Sequence, residues 1–204
     1  MNKILFSFFF SFLFLINGTV SYAEIDTDEG KKQLESSLTS LIEVLVDEKL
    51  KDNKTERRAE IKKILFSRFS PEEMSKRTLG KKWKGISKEE KEKFIDVFGK
   101  ITVESYIGKI EGYSNEKVVY NDVELLNKRY LKVDTSVLGG KESFSVIYMM
   151  KKFDNDWLVF DIIIEGVSLV ANYRAQFNSI LEKKTFGALL NQLEESLTKM
   201  EQAK

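Results

Sequence analysis

The sequence predicts an α+β fold in which helices cover the concave face of a curved, four-stranded antiparallel sheet. Apolar residues recur at helical spacing as far as Tyr113 and at alternate positions beyond it. The alternating half is cut by Asn127-Lys128, Gly139-Gly140 and Asp154-Asn155, turns short enough to join neighbouring antiparallel strands. The third observation is the stretch Trp157 to Phe177, WLVFDIIIEGVSLVANYRAQF, where an apolar strand runs through one glycine into an amphipathic helix. Alternation puts Leu158, Phe160, Ile162 and Ile164 on one face of that strand and Val159, Asp161 and Ile163 on the other. Both faces therefore demand burial, which makes the strand central rather than an edge.

In chain order, residues 1–23 read as a secretory signal cleaved after Ala23. Lys3 supplies the positive start, Ile4 to Ile16 is nearly all Phe, Leu and Ile, and Ser21-Tyr22-Ala23 is a small-x-small cleavage pattern. That apolar run of 13 residues is short of the roughly 20 that span a bilayer. From about Glu29 to Asp52 the stripe Leu34, Leu38, Leu41, Ile42, Leu45, Val46 and Leu50 predicts a long first helix. Asn53-Lys54-Thr55 matches a glycosylation sequon but reads as a polar loop, and a second helix follows with Ile61, Ile64, Leu65 and Phe69 inward. Ser70-Pro71-Glu72-Glu73 combines an N-cap serine with proline at the first helical position, and Gly80 ends the short helix it opens. Ser87-Lys88-Glu89-Glu90 is a capping box for a helix carrying Phe94, Val97, Phe98, Ile101, Tyr106, Ile110 and Tyr113, with Trp83 tucked under the joint. The strands are expected at Lys117–Leu126, Arg129–Leu138, Glu142–Lys152 and Trp157–Glu165. Gly166 then turns the backbone, Ser168 caps a helix from Leu169 to about Leu181, and Phe186 to Met200 forms the last helix. Residues 24–204 are thus expected to form one unit, helical over 24–113, sheet over 114–165 and closed by the helices of 166–204.

Composition removes several classes of function. The chain has 33 basic and 32 acidic residues, so no net charge attracts nucleic acid or an anionic membrane over distance. It has no histidine and no cysteine. A Ser-His-Asp triad, a Cys-His pair, the commonest zinc sites and a disulfide framework are all excluded. No nucleotide-binding P-loop is present. Neither a metal nor a cofactor is expected, and no catalytic residue is assigned. A greasy sheet covered by helices commonly surrounds a pocket, without naming its guest.

The run Thr78-Leu79-Gly80-Lys81-Lys82-Trp83, the aromatic positions Phe94, Phe98, Tyr106 and Tyr113, Trp157-Leu158-Val159-Phe160-Asp161-Ile162, and above all Glu165 to Phe177 (EGVSLVANYRAQF) make the chain resemble the MlaC family. The resemblance spans essentially all of residues 24–204, with the block from Glu165 to Phe177 its specific part. It implies a nuclear-transport-factor-2-like sheet fused to a helical subdomain, with an apolar cavity for phospholipid acyl chains between them. It also implies a monomeric periplasmic carrier moving lipid between an outer-membrane lipoprotein–porin complex and an inner-membrane ABC transporter bearing an MCE-domain protein, which maintains outer-membrane lipid asymmetry. Its lining is expected from Val137, Phe144, Val146, Tyr148, Met150, Phe160, Ile162 and Ile164 of the sheet, with Phe98, Ile101, Val167 and Tyr173 from the helical parts. Met149 and Met150, being unbranched, could adapt to chains of differing length. Arg174 could hold a head-group phosphate, or could pair with Asp161 or Glu165 to pin helix to strand.

Such a lining answers a definite cost. Two acyl chains carry on the order of 30 methylenes, whose exposure to water at ~0.8 kcal/mol each would cost on the order of 24 kcal/mol. Two rival readings start from the same residues. An enzyme would use Asp134, Asp161 and Tyr148, yet the sequence holds no paired acid motif. A binding protein or chaperone for another hydrophobic ligand, such as a hopanoid, would use the same apolar lining.

Overall fold

The computed structural model describes residues 22–139 and 142–203. Most of the expected signal segment lies outside the described residues. Two helices come first, α1 (Tyr22–Val46) and α2 (Lys54–Arg68). The first stops six residues short of the expected end because Asp47 takes over the chain: its carboxylate accepts from the Lys49 backbone N–H at 2.9 Å and its carbonyl from that of Leu50 at 3.0 Å. Asn53, of the sequon, is the N-cap of α2 and accepts from the Glu56 N–H at 3.2 Å. Helices α3 (Pro71–Leu79) and α4 (Lys88–Glu111) are joined by a 3₁₀ turn over Gly80–Gly85. Their starts are those in the sequence: Ser70 caps α3, and Ser87 with Glu90 completes the capping box of α4.

The sheet is a meander of β1 (Lys117–Asn127), β2 (Tyr130–Gly139), β3 (Glu142–Phe153), β4 (Asp156–Ile164) and β5 (Val167–Ser168), antiparallel throughout and paired in chain order. Five strands replace the expected four. The extra one pairs Ile164 with Val167 and Ile163 with Ser168 across a two-residue turn. Both turn residues are left-handed, Glu165 at φ 49° and Gly166 at φ 78°, as a hairpin turn that matches strand twist requires. Two residues carry no readable period, so the sequence suggested only a bend into the helix. Helices α5 (Leu169–Leu181), capped by Ser168, and α6 (Phe186–Gln202) close the chain. Among the described residues no helix is long and apolar enough to cross a membrane.

One irregularity in β4 decides where the side chains go. Met149 pairs with Asp161 and Met150 with Val159, which leaves Phe160 as an extra residue on β4, a β-bulge. Beyond it Ile162 and Ile164 face the same way as Tyr148 and Val146; before it Val159 and Trp157 continue that face beside Met150. Phe160 leaves the row and enters the helical core.

Two buried clusters result. One joins α3, the first half of α4, α5 and α6 around Phe94, Phe98, Leu169, Phe177, Leu189 and Phe160. The other joins α1 to the sheet through Leu34, Leu131, Val133, Met150, Trp157 and Val159. Gly30 lets α1 come this close, since a Cβ there would meet Leu131 and lie 3.2 Å from Trp157 Cγ. Gln33 and Arg68 pin the same corner. Gln33 Oε1 accepts from the Trp157 N–H at 2.8 Å, while the Arg68 guanidinium donates to Gln33 Oε1, Ser37 Oγ and the Trp157 carbonyl at 2.8–2.9 Å.

Candidate functional site: an apolar cavity

A cavity of about 490 Å³ opens where the α1–sheet cluster ends. Its floor is the concave sheet face, with Val118, Val137, Phe144, Val146, Tyr148, Ile162 and Ile164. The α1 stripe, Leu38, Leu41, Ile42 and Leu45, forms one wall; Ile64, Leu65 and Phe66 of α2 and Val103, Tyr106 and Ile110 of α4 form the others. Leu34 sits where this stripe meets the filled core. Beyond it α1 and the sheet diverge, and the same stripe that packs at one end borders open space at the other.

The polar groups of the wall are turned aside. Thr102 Oγ1 donates to the Phe98 carbonyl at 2.9 Å and Ser37 Oγ to the Gln33 carbonyl at 3.0 Å. Glu116 is occupied by the Ser114 hydroxyl and N–H, at 2.9 and 2.6 Å, and those bonds hold its carboxyl below the ordinary range. Arg68 is committed to its three partners, and burial lowers its pKa. A buried polar group satisfied by backbone no longer competes for solvent, so the surface offered to a guest is almost wholly apolar. Three groups are exceptions, and the first is Tyr106, whose hydroxyl is pushed up by burial and by Tyr173 and has no hydrogen-bond partner among the described residues. Tyr148 lies within the wall, its hydroxyl pushed well up by burial and by neighbouring Tyr120, and it has no hydrogen-bond partner among the described residues. Lys109 is exposed yet lines the cavity, its ammonium 5.5 Å over the Tyr106 ring, and so marks the rim. Phe66 and Phe144, each 40% exposed and each lining the cavity, mark it too.

The outer wall is tied by charge. Arg58 forms a two-pronged pair with Glu111, at 2.6 and 2.9 Å, and Lys62 meets Glu104 at 2.5 Å, joining α2 directly to α4. The Arg58 hydrogen bond holds the Glu111 carboxyl below its usual range.

Of the residues expected in the lining, Val137, Phe144, Val146, Tyr148, Ile162 and Ile164 border the cavity. Six lie elsewhere. Phe98 and Ile101 are buried in the helical core, where Tyr173 packs on Phe98 with ring centroids 5.0 Å apart. Met150 is fully buried under α1, Phe160 is taken to the helical core by the bulge, and Val167 is 61% exposed on the hairpin. Arg174 is exposed and donates from Nε to the Arg77 carbonyl at 2.6 Å. It forms no ion pair with Asp161 or Glu165; the Asp161 carboxylate instead accepts from Ser168 Oγ at 2.6 Å and the Val170 N–H at 3.0 Å. What sequence reasoning missed is the helical wall. The signal was there in the first helix, whose apolar stripe continues past the length its packing partners can cover.

The sheet, its helical cover and the hollow between them define a class, an α+β protein built around an apolar chamber with polar groups withdrawn from its wall. The chain belongs to the MlaC family: the family model described as "MlaC protein" matches residues 35–195. It is 23% identical over 153 residues to the intermembrane phospholipid transport system binding protein MlaC of Haemophilus influenzae, a match covering 72% of each chain. It is also similar to the structure of a phospholipid-binding protein from Ralstonia solanacearum, solved in complex with a phospholipid. The TM-score there is 0.76 at 21% identity, over 86% of this chain and 99% of that one.

Proposed function

We propose that the protein is a phospholipid carrier of the periplasm, which holds acyl chains in the cavity and leaves the head group at the rim. The observation that carries this reading is the cavity itself, about 490 Å³ of space bordered by aliphatic and aromatic side chains, with most of its polar wall residues engaged by backbone or by neighbouring polar groups. Chains leaving a bilayer lose on the order of 0.8 kcal/mol per methylene exposed to water, so a carrier must supply a comparable apolar surface. An apolar lining without directional bonds does this without trapping the cargo. The names of the relatives, a phospholipid transport binding protein and a phospholipid-binding protein, support the same cargo. On this reading the chain is exported and cleaved after Ala23. It passes lipid between an inner-membrane ABC transporter with an MCE-domain protein and an outer-membrane lipoprotein–porin complex, and so helps to keep the outer membrane asymmetric. It performs no chemistry on its cargo.

The test is native mass spectrometry of the chain released from the periplasm without detergent, followed by organic extraction. The expected result is a mass increment equal to a phospholipid recovered in the extract. A chain that carries no phospholipid, or carries a different hydrophobic molecule instead, overturns the proposal.

A further inference from the structure

A second concavity lies away from the cavity, and α3 stands between them. Met74 of α3 borders the cavity, whereas Glu73, Lys76 and Arg77 of the same helix line a cleft of about 620 Å³. Lys81, Tyr130, Lys151, Arg174 and Asn178 complete that cleft. It gathers five cations around one carboxylate in a chain whose overall net charge is only +1.

The cations are held rather than loose. The Arg77 guanidinium stacks 3.9 Å over the Phe160 ring and 5.3 Å over Tyr130, and it meets Glu73 at 2.9 Å. Lys151 donates to the other Glu73 oxygen at 2.7 Å. Burial pushes the Glu73 carboxyl up, but the Lys151 hydrogen bond and the Arg77 charge outweigh it and hold the group ionised. Arg174 is fixed through Nε by the Arg77 carbonyl, which leaves the outer edge of its guanidinium directed away from that bond. Lys76, Lys81 and Arg174 are exposed and have no ion-pair partner among the described residues. Glu73 already shows which anion this arrangement fits, a planar carboxylate received by a guanidinium and an ammonium together.

We propose that this cleft docks an acidic segment of a partner protein, whose Asp and Glu side chains are received by Arg174, Lys76 and Lys81 beside the Glu73–Arg77–Lys151 cluster. Charge complementarity selects the partner. A concave site with pre-positioned guanidinium groups suits side-chain carboxylates, whereas a membrane surface would be met by an open field of lysines. The proposal does not depend on what fills the cavity.

The experiment uses the full exported chain and a fluorescein-labelled peptide of alternating Glu and Gly, with a Gln-for-Glu peptide as reference. Binding is followed by anisotropy at low and moderate salt. The expected result is saturable, salt-sensitive binding of the Glu peptide, weakened about tenfold or more by Lys81→Glu/Arg174→Glu. The matched charge reversal Lys183→Glu/Lys184→Glu, in the turn between α5 and α6, should weaken it far less. Circular dichroism and cargo content should be the same in all three proteins. Equal binding of the Gln peptide overturns the proposal, as does an equal loss in the Lys183/Lys184 variant. Phosphatidylglycerol vesicles that sediment the chain through Lys81 and Arg174, while the Glu peptide does not bind, would show a membrane contact and overturn it as well.

Discussion

Replacing Phe98 and Phe144 separately by alanine distinguishes the filled core from the cavity wall. Phe98 is fully buried, stacked 5.5 Å from Phe94 and edge-on to Tyr173 and Phe177 at 5.0 and 5.5 Å. Truncating such a ring costs about 3–5 kcal/mol in lost burial and residual void, and its three aromatic contacts place Phe98 toward the upper end. At about 2–4 °C per kcal/mol for a chain of this size, Tm should fall by roughly 6–20 °C. Phe144 is 40% exposed and faces open space, so its neighbours already lack contacts on that side. Its truncation should cost about 1 kcal/mol, near the centre of the range for single substitutions, or about 2–4 °C. The assay pairs thermal unfolding with phospholipid phosphorus per folded chain in detergent-free protein. Phe98→Ala should lower Tm and leave lipid per folded chain unchanged; Phe144→Ala should lower lipid content with little loss of Tm. A Phe144→Ala protein that melts as early as Phe98→Ala, with unchanged lipid content, refutes the division.

Acid should loosen the α2–α4 tie, because the Glu111 carboxyl titrates below its ordinary value near 4.5. Its contribution is full above that value and is lost as pH falls through the depressed one, so Glu111→Gln should be less stable at pH 7 and show a shallower acid limb in thermal melts. Gly30→Val should destabilise by about 1–3 kcal/mol, seen as a lower urea midpoint at unchanged m, because the new side chain must displace Leu131 and Trp157. Ser87→Ala, which removes one half of the capping box of α4, should cost about 1 kcal/mol with no change in cargo. Widening Ile162 to Trp should fill part of the cavity and reduce extracted lipid while the far-UV spectrum is preserved.

The elements were legible because their signals are local. Ser70-Pro71, the Ser87–Glu90 box and Ser168 mark helix starts through side-chain hydrogen bonds that need only the next three residues, and each of these caps is present. The lining was legible only in part, since facing depends on register and register can slip by one. Parity along Phe160, Ile162 and Ile164 places all three together, yet the bulge inserts Phe160 as an unpaired residue and shifts the alternation of β4 before it, so Phe160 faces away from Ile162 and Ile164 while Val159 joins their face. Tyr173 and Phe98 have the aromatic character expected of a lipid pocket, and they meet each other instead. Nothing local distinguishes a ring that packs on a ring from one that faces a void.

That bulge also explains how one strand can serve two opposed requirements. A cavity weakens a protein, because the side chains around it forgo dispersion contacts that a filled interior would supply. Here Ile162 and Ile164 face the void, while Phe160, turned to the other side, adds its ring to Tyr130 at 5.8 Å and to the stacked Arg77. The helical core of Phe94, Phe98, Phe177 and Leu189 is thereby anchored to β4 without sharing its space with the chamber. The helical core thus lies on the face of β4 away from the chamber, while on the chamber's own face Val159 and Trp157 pack under α1 and the void begins beyond them at Ile162 and Ile164, so a cargo can enter or leave without repacking the helical core.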